Sequence, residues 1–170
     1  MPVTYTPAPE AAKIGRQLIA THHQDLDSER IEYIFRSEAA ITAGRAIWGK
    51  ARKISGLNAY LATVPDGEDP PEDGVDPFFV IELAADIWET LSGKERIALV
   101  DHELSHCQIR LNASGTPTPT IVPHDVEEFE GVIRRHGLWN TGVRHFAKVA
   151  YDAVGGDQMS LLGDDDQPAA

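Results

Sequence analysis

The chain has 170 residues, of which 42 % are hydrophobic, and its formal net charge is −12 at pH 7 with a pI ≈ 4.9. A chain of this length and apolar content can bury one sizeable core, so one folded domain is expected. The acidic balance argues against tight, autonomous binding of nucleic acid, because phosphates require a positive face. No apolar run approaches a membrane span, and residues 1–10 lack the features of a secretory signal, so we expect a cytoplasmic protein with no membrane partner.

The amino-terminal segment shows a helical pattern followed by an extended one. Ala11, Ile14 and Leu18 recur at helical spacing and predict a first helix. Ile31, Tyr33 and Phe35 alternate with Glu32, which is typical of a strand.

Further extended segments are predicted before the middle of the chain. Residues 46–55 and 57–64 are both expected to be extended, with Gly56 as their boundary. Residues 65–76 are acidic and rich in proline and glycine, so they predict a surface loop. Residues 78–83 form a compact apolar run and predict another strand.

Residues 102–106 read H-E-L-S-H and carry the strongest chemical signal in the chain. Two histidines four residues apart on a helix lie one turn apart, so the imidazoles of His102 and His106 can converge on one Zn²⁺. Glu103 then lies beside the open coordination position, as in zinc hydrolases. The alternative is two surface histidines on an amphipathic helix.

The flanks of this motif predict a long helix. Ser92 and Glu95 form an S-x-x-E capping box, which marks a helix start. Apolar residues then follow at spacings of three and four: Ile97, Val100, Leu104, Cys107 and Leu111. This spacing places the motif in the middle of the helix.

A catalytic zinc site usually needs a third protein ligand. The metzincin extension is excluded, because Ile109 and Asn112 stand where that class has glycine and histidine. Residues 112–123 predict a loop, so the candidates lie beyond it. His124 is preferred, Glu128 is the alternative, and His136 is a more distant one.

The segment that follows this loop predicts another helix. Asp125 is expected to be its N-cap, and Gly137 is expected to stop it after His136. His124 would then precede the helix, and Glu128 would lie inside its first turns.

Three sequence elements together resemble a known family: H-E-L-x-H-C at residues 102–107, P-H-D-V-E-E-F at residues 123–129, and G-K-A-R at residues 49–52. They are similar to the putative phage metallopeptidases, relatives of the SprT-like minimal zincins. The resemblance implies an α+β fold, a minimal zincin-like domain whose small mixed or antiparallel sheet packs on the H-E-x-x-H helix and further helices. It also implies His124 as third zinc ligand, although this chain has Asp125 where SprT-like proteins usually have glycine.

The resemblance and the motif predict a zinc-dependent metallopeptidase that cleaves protein substrates. Zn²⁺ would polarise a carbonyl, and Glu103 would act as general base. Zincins commonly bind an extended peptide along a sheet edge, and the strand at residues 78–83 is expected to be that edge or an ordinary core strand. The alternative function is a non-catalytic zinc-containing module that acts through its tail or a protein partner.

Two residues next to the motif have expected structural roles. Cys107 is the only cysteine, so no intramolecular disulfide can form, and a buried hydrophobic role is expected. Asp101 is expected to be a solvated acid or to orient a metal ligand.

The carboxyl-terminal segment changes character at Gly155. Residues 1–154 are predicted to form the metallopeptidase domain, and residues 155–170 an acidic disordered tail. Within that tail, one segment resembles the peptides by which bacterial proteins bind the DNA polymerase sliding clamp: Gln158, Met159, Ser160, Leu161 and Leu162. Clamp binding would bring the enzyme to proteins attached to DNA, as SprT-like relatives suggest.

Overall fold

A computed structural model describes residues 2–26, 31–65, 68–69 and 76–154. The chain divides into two compact units, Met1–Pro123 and His124–Ala170. The predicted clamp-binding peptide and the predicted tail lie outside the described residues, as does most of the predicted acidic loop. The division into a domain of residues 1–154 and a tail therefore stays a prediction.

The first unit contains eight strands and four α-helices within the described residues. The strands are β1 (Tyr5–Pro7), β2 (Ile31–Arg36), β3 (Ala40–Thr42), β4 (Arg45–Ile47), β5 (Gly49–Ile54), β6 (Phe78–Ala84), β7 (Cys107–Leu111) and β8 (Pro117–Ile121). The helices are α1 (Pro9–His22), α2 (Leu57–Thr63), α3 (Ala85–Trp88) and α4 (Gly93–Ser105), with a short 3₁₀ helix at Gln24–Leu26. The α+β class predicted from sequence is confirmed.

A four-stranded mixed sheet in the order β1-β2-β6-β5 is the centre of this unit. β2 and β6 are parallel, and both outer pairs are antiparallel. Tyr33, Phe79, Ile81 and Leu83 point to one face of the sheet and are buried there with apolar residues of α1 and α4. This core fixes α4, and the motif it carries, against the sheet.

The predicted first helix and the strands at residues 31–35 and 78–83 are confirmed as α1, β2 and β6. The proposal that residues 78–83 form a sheet edge is wrong, because β6 pairs with β2 on one side and β5 on the other. The alternative, an ordinary core strand, is what the structure shows. Among the described strands, the edges of this sheet are β1 and β5.

The extended segment predicted for residues 57–64 is also wrong, because Leu57–Thr63 is helical. Leucine and alanine are strong helix formers, and Gly56 adopts φ 56° at the start of the helix. The Thr63 hydroxyl donates to the Ala59 carbonyl at 2.7 Å, and Ala59 is buried.

Helix α4 begins as predicted and ends earlier than predicted. Ser92 is its N-cap, and the capping box with Glu95 is present. The helix stops at Ser105, so the prediction that the motif lies in the middle of a helix is wrong. Cys107, Ile109 and Leu111 also fit the two-residue period of a strand. The structure has the strand and not the helix at these positions, because they form β7.

The predicted loop at residues 112–123 contains β8, which pairs antiparallel with β7. The Asn112 side-chain oxygen accepts from Ser114 N at 3.0 Å and Thr116 N at 2.9 Å, which closes the turn. Asn112 N donates to the Thr116 carbonyl at 2.9 Å, so the ladder pairs Asn112 with Thr116 and, by register, Arg110 with Thr118. Pro117 and Pro119 therefore occupy positions whose N–H would point away from β7, where proline is tolerated.

The second unit contains α5 (Glu130–His136) and α6 (Thr141–Ala153) among its described residues. Gly137 ends α5 with φ 62°, as predicted. Asp125 is not the N-cap, because α5 begins only after Phe129, and Glu128 therefore precedes the helix. No helix in the described residues is long and apolar enough to cross a membrane.

Candidate metal centre

The H-E-x-x-H motif forms the last turn of α4. His102 lies within the helix, and His106 is its C-cap with φ −73° and ψ −21°, which is still helical backbone. The two imidazole rings have centroids 5.0 Å apart and an interplanar angle of 86°. The pair therefore keeps the one-turn spacing expected from the sequence, although the helix ends here.

His106 is oriented by Val122, the residue that directly follows β8. Its Nδ1 lies 2.7 Å from the Val122 carbonyl oxygen, and Val122 N donates to the His106 carbonyl at 2.9 Å. Because a carbonyl oxygen can only accept, Nδ1 must carry the ring proton. The lone pair of a neutral His106 is then on Nε2, the state that a metal ligand requires.

His124 supplies the third imidazole. Ligand atoms of His102, His106 and His124 all lie within 4.8 Å of one another. Nδ1 of His124 lies 3.9 Å from a carboxylate oxygen of Glu127. The sequence alternatives Glu128 and His136 are not part of this group of three.

The carboxylate of Glu128 instead accepts hydrogen bonds from residues of the second unit. It accepts from Trp139 Nε1 at 2.8 Å and from Phe129 N at 2.8 Å. These two contacts hold the side chain beside the start of α5. Between the two leading candidates for the third ligand, the geometry favours His124.

The chemistry of the three side chains fits a divalent transition metal. Three neutral imidazoles leave a further coordination position for water or substrate, as catalytic zinc sites do. Imidazole also binds copper, iron and nickel, so the three histidines indicate a transition-metal site without identifying the metal.

Glu103 is the buried charged residue next to these histidines, with 4 % of its surface exposed. Burial raises the pKa of its carboxyl, while the electrostatic effect of the neighbouring His106 imidazole and a hydrogen bond from the Ala51 N–H oppose that rise. A carboxylate at the end of α4 is thus held against β5 and kept away from bulk water.

Gly49 leaves the space that this carboxylate fills. A Cβ atom at Gly49 would lie 2.5 Å from Glu103 Oε1 and 2.9 Å from both Cδ and Cγ. The sequence analysis included Gly49 only through the family resemblance and gave no role for it. No local pattern could have done so, because Gly49 and Glu103 are far apart in the chain and only the fold brings them into contact.

Asp101 and Cys107 have structural contacts beside the site. Asp101 lies 2.7 Å from Nε2 of His23, a histidine to which the sequence analysis gave no role. Cys107 is buried, as predicted, and its thiol donates to the Glu103 carbonyl at 3.7 Å. Burial, with a smaller effect of the Glu103 charge, raises the pKa of Cys107 to about 12.

The sheet, the helix that ends in H-E-x-x-H and the adjacent third histidine define a small zincin-like domain with residues positioned to hold a metal ion. Residues 3–150 match the family described as "Putative phage metallopeptidase", and the chain belongs to that family. No curated protein and no solved structure matches the chain. The wider relationship to SprT-like proteins stays a prediction.

Proposed function

We propose that this protein is a zinc-dependent metallopeptidase with His102, His106 and His124 as metal ligands and Glu103 as general base. The observation that carries the proposal is a buried carboxylate one residue from the first of three clustered imidazoles. A histidine cluster with only structural use does not need such a carboxylate. Family membership supports the same reaction class.

The residues divide the chemistry of peptide hydrolysis between them. Bound Zn²⁺ would supply Lewis-acid polarisation of the scissile carbonyl and a lowered pKa for water. Glu103 removes a proton from the attacking water as the new C–O bond forms, and returns it to the amine nitrogen as the C–N bond breaks. The hydrogen bond from Ala51 fixes the carboxylate in position.

The outer edge of β5 is the surface that we assign to the substrate backbone. Ala84 N donates to the Trp48 carbonyl at 2.9 Å, so the alternating ladder directs the backbone groups of Lys50 and Arg52 toward β6. The backbone groups of Gly49, Ala51 and Lys53 therefore point outward. The Ala51 N–H is already engaged by Glu103, so a peptide strand along this edge pairs with the backbone groups of Gly49 and Lys53 and with the Ala51 carbonyl. Such a strand passes Glu103, which contacts Gly49.

We further propose that the substrates include proteins associated with DNA. The support is the resemblance of residues 158–162 to sliding-clamp peptides and the resemblance of the motifs to SprT-like proteins. A clamp pulldown with Gln158→Ala and Leu161→Ala tests the first point. Retention of the clamp by the double variant at the parent's level contradicts it.

The first test of the metal site is the zinc content of the folded protein. We expect about one equivalent in the parent, loss in His124→Ala and retention in Glu128→Ala, with circular dichroism to check folding. Removal of the metal by a chelator should lower the melting temperature, and added Zn²⁺ should restore it. Loss of zinc in Glu128→Ala alone would overturn the ligand set.

The second test separates catalysis from a binding role. Glu103→Gln should keep zinc and fold but lose peptidase activity by at least roughly 100-fold, because it removes the general base. If the variant keeps the cellular function of the parent, the alternative holds, and the protein acts as a non-catalytic zinc-containing module.

A further inference from the structure

The edge of β5 carries positive charge in a chain that is otherwise acidic. Lys50, Arg52 and Lys53 are all exposed, and residues 49–54 contain no carboxylate. The whole chain, by contrast, has a net charge of −12. Three exposed cations therefore lie on the strand that contacts the proposed general base.

The acid that faces these residues from β6 is already paired. Glu82 accepts from Arg52 Nε at 3.1 Å and lies 4.0 Å from Arg36 Nε. Its side chain is only 12 % exposed. Within the described residues, the ion pairs at 4.0 Å or less do not include Lys50 or Lys53.

The register of β5 places Lys50 and Lys53 on opposite faces of the sheet, so a strand added to this edge would have one lysine on each of its faces. Lys50 pairs with Glu82 across the ladder, so its side chain leaves the sheet on the face opposite Glu103. Lys53 is two residues beyond Ala51 and four beyond Gly49, so its side chain lies on the same face as Glu103. A residue opposite Lys50 on an added strand would form a non-hydrogen-bonded pair, with Cβ atoms about 4.5–5.5 Å apart.

We infer that the site selects peptides with acidic residues near the scissile bond, and that Lys50 and Lys53 are the specificity-determining residues. The inference rests on the proposed peptidase function and on substrate pairing along β5. Cross-strand pairs of opposite charge are favourable, and directly opposed like charges are unfavourable. Arg52 contributes less, because its guanidinium is engaged by Glu82.

The experiment uses three peptides that differ only at two positions flanking the cleaved bond, which hold Glu, Gln or Lys. Cleavage by the zinc-loaded full chain gives kcat/KM for each peptide. Fluorescence anisotropy of the same peptides with zinc-loaded Glu103→Gln gives affinity without catalysis. We expect the Glu peptide to exceed the Lys peptide by roughly ten-fold at low salt, and the difference to shrink as salt rises.

Charge reversal then tests the two lysines. Lys50→Glu with Lys53→Glu should reverse the order of the peptides, and the corresponding pair of glutamine substitutions should flatten it. Lys13→Glu with Lys94→Glu is the matched control, because it changes net charge equally at exposed positions in α1 and at the start of α4. That control should keep the parent's order.

The two arms distinguish failure of the inference from failure of the proposed function. Cleavage of all three peptides at equal kcat/KM overturns charge selection and leaves the peptidase intact. An order in binding without any cleavage supports charge selection and overturns the peptidase. No binding of any peptide, or a control double variant that shifts the order as much as the Lys50 and Lys53 reversal, overturns the inference.

Discussion

Replacement of Gly49 by alanine is the most direct test of the geometry around Glu103. The added Cβ would lie 2.5 Å from Oε1 and 2.9 Å from Cγ of that side chain. Both distances are shorter than van der Waals contact, so either the carboxylate or strand β5 must move. The carboxylate has little room, because Glu103 is 4 % exposed and accepts a hydrogen bond from Ala51.

The expected cost follows from overpacking a buried site. One methyl group forced into a packed environment typically costs about 1–3 kcal/mol, which corresponds to a fall in melting temperature of roughly 2–12 °C for a chain of this size. Displacement of the carboxylate by about 1 Å should also lower peptidase activity roughly 100-fold, because general-base catalysis depends on position. The zinc content should not change, because the three atoms nearest to the added Cβ all belong to Glu103 and not to a histidine.

Thermal and urea unfolding measure the first effect, and peptide cleavage measures the second. Gly93→Ala is the control, because its Cβ would meet nothing within 4 Å at the start of α4. The cost of Gly49→Ala should largely disappear in a Glu103→Ala background, where the clashing atoms are absent. An equal cost in both backgrounds, or an unchanged melting temperature, would refute this account of Gly49.

Other predictions concern the fold around the site. Ser92→Ala should destabilise the protein by about 1 kcal/mol in urea unfolding, because it removes the N-cap of α4. The hydrogen bonds with Ser92 lower the pKa of Glu95, so the stabilising effect of its carboxylate should be complete above the ordinary pKa of 4.5 and be lost as pH falls through the lowered pKa. Urea unfolding of Glu95→Gln at several pH values measures this effect, and a loss of stability that grows in acid contradicts it. Cys107 should resist alkylation in the native protein and react fully in denaturant, and stoichiometric native labelling would show that it is not buried. Tyr33→Phe should be neutral or stabilising in urea unfolding, because the buried Tyr33 hydroxyl has no hydrogen-bond partner among the described residues.

The parts of this fold that could be predicted from sequence are those decided by adjacent residues. The start of α4 follows from the Ser92 and Glu95 capping box, and the end of α5 follows from a glycine that can adopt positive φ. The end of α4 could not be predicted in the same way. Cys107 and Leu111 satisfy both a helical and an alternating pattern, and only pairing with β8 decides between them.

The proposed metal ligands also differ in how far the sequence could identify them. His102 and His106 are related by one helical turn, so their spacing in sequence is sufficient to pair them. Glu103 could be identified as a candidate base from the same motif. Its burial against Gly49 could not, because it depends on where β5 lies in the sheet.

The third histidine depends on the β7–β8 hairpin. Because α4 ends at Ser105, the chain can turn at once into β7 and return through β8 to the same point. The return is fixed by two hydrogen bonds between His106 and Val122, one through the backbone and one through the imidazole. A slip of one residue in this hairpin would break both bonds and turn the alternate side chains to the other face. The sequence patterns did not predict this early end of the helix. It allows the hairpin to orient His106 and to return the chain to Val122, two residues before His124, so that both proposed ligands depend on it.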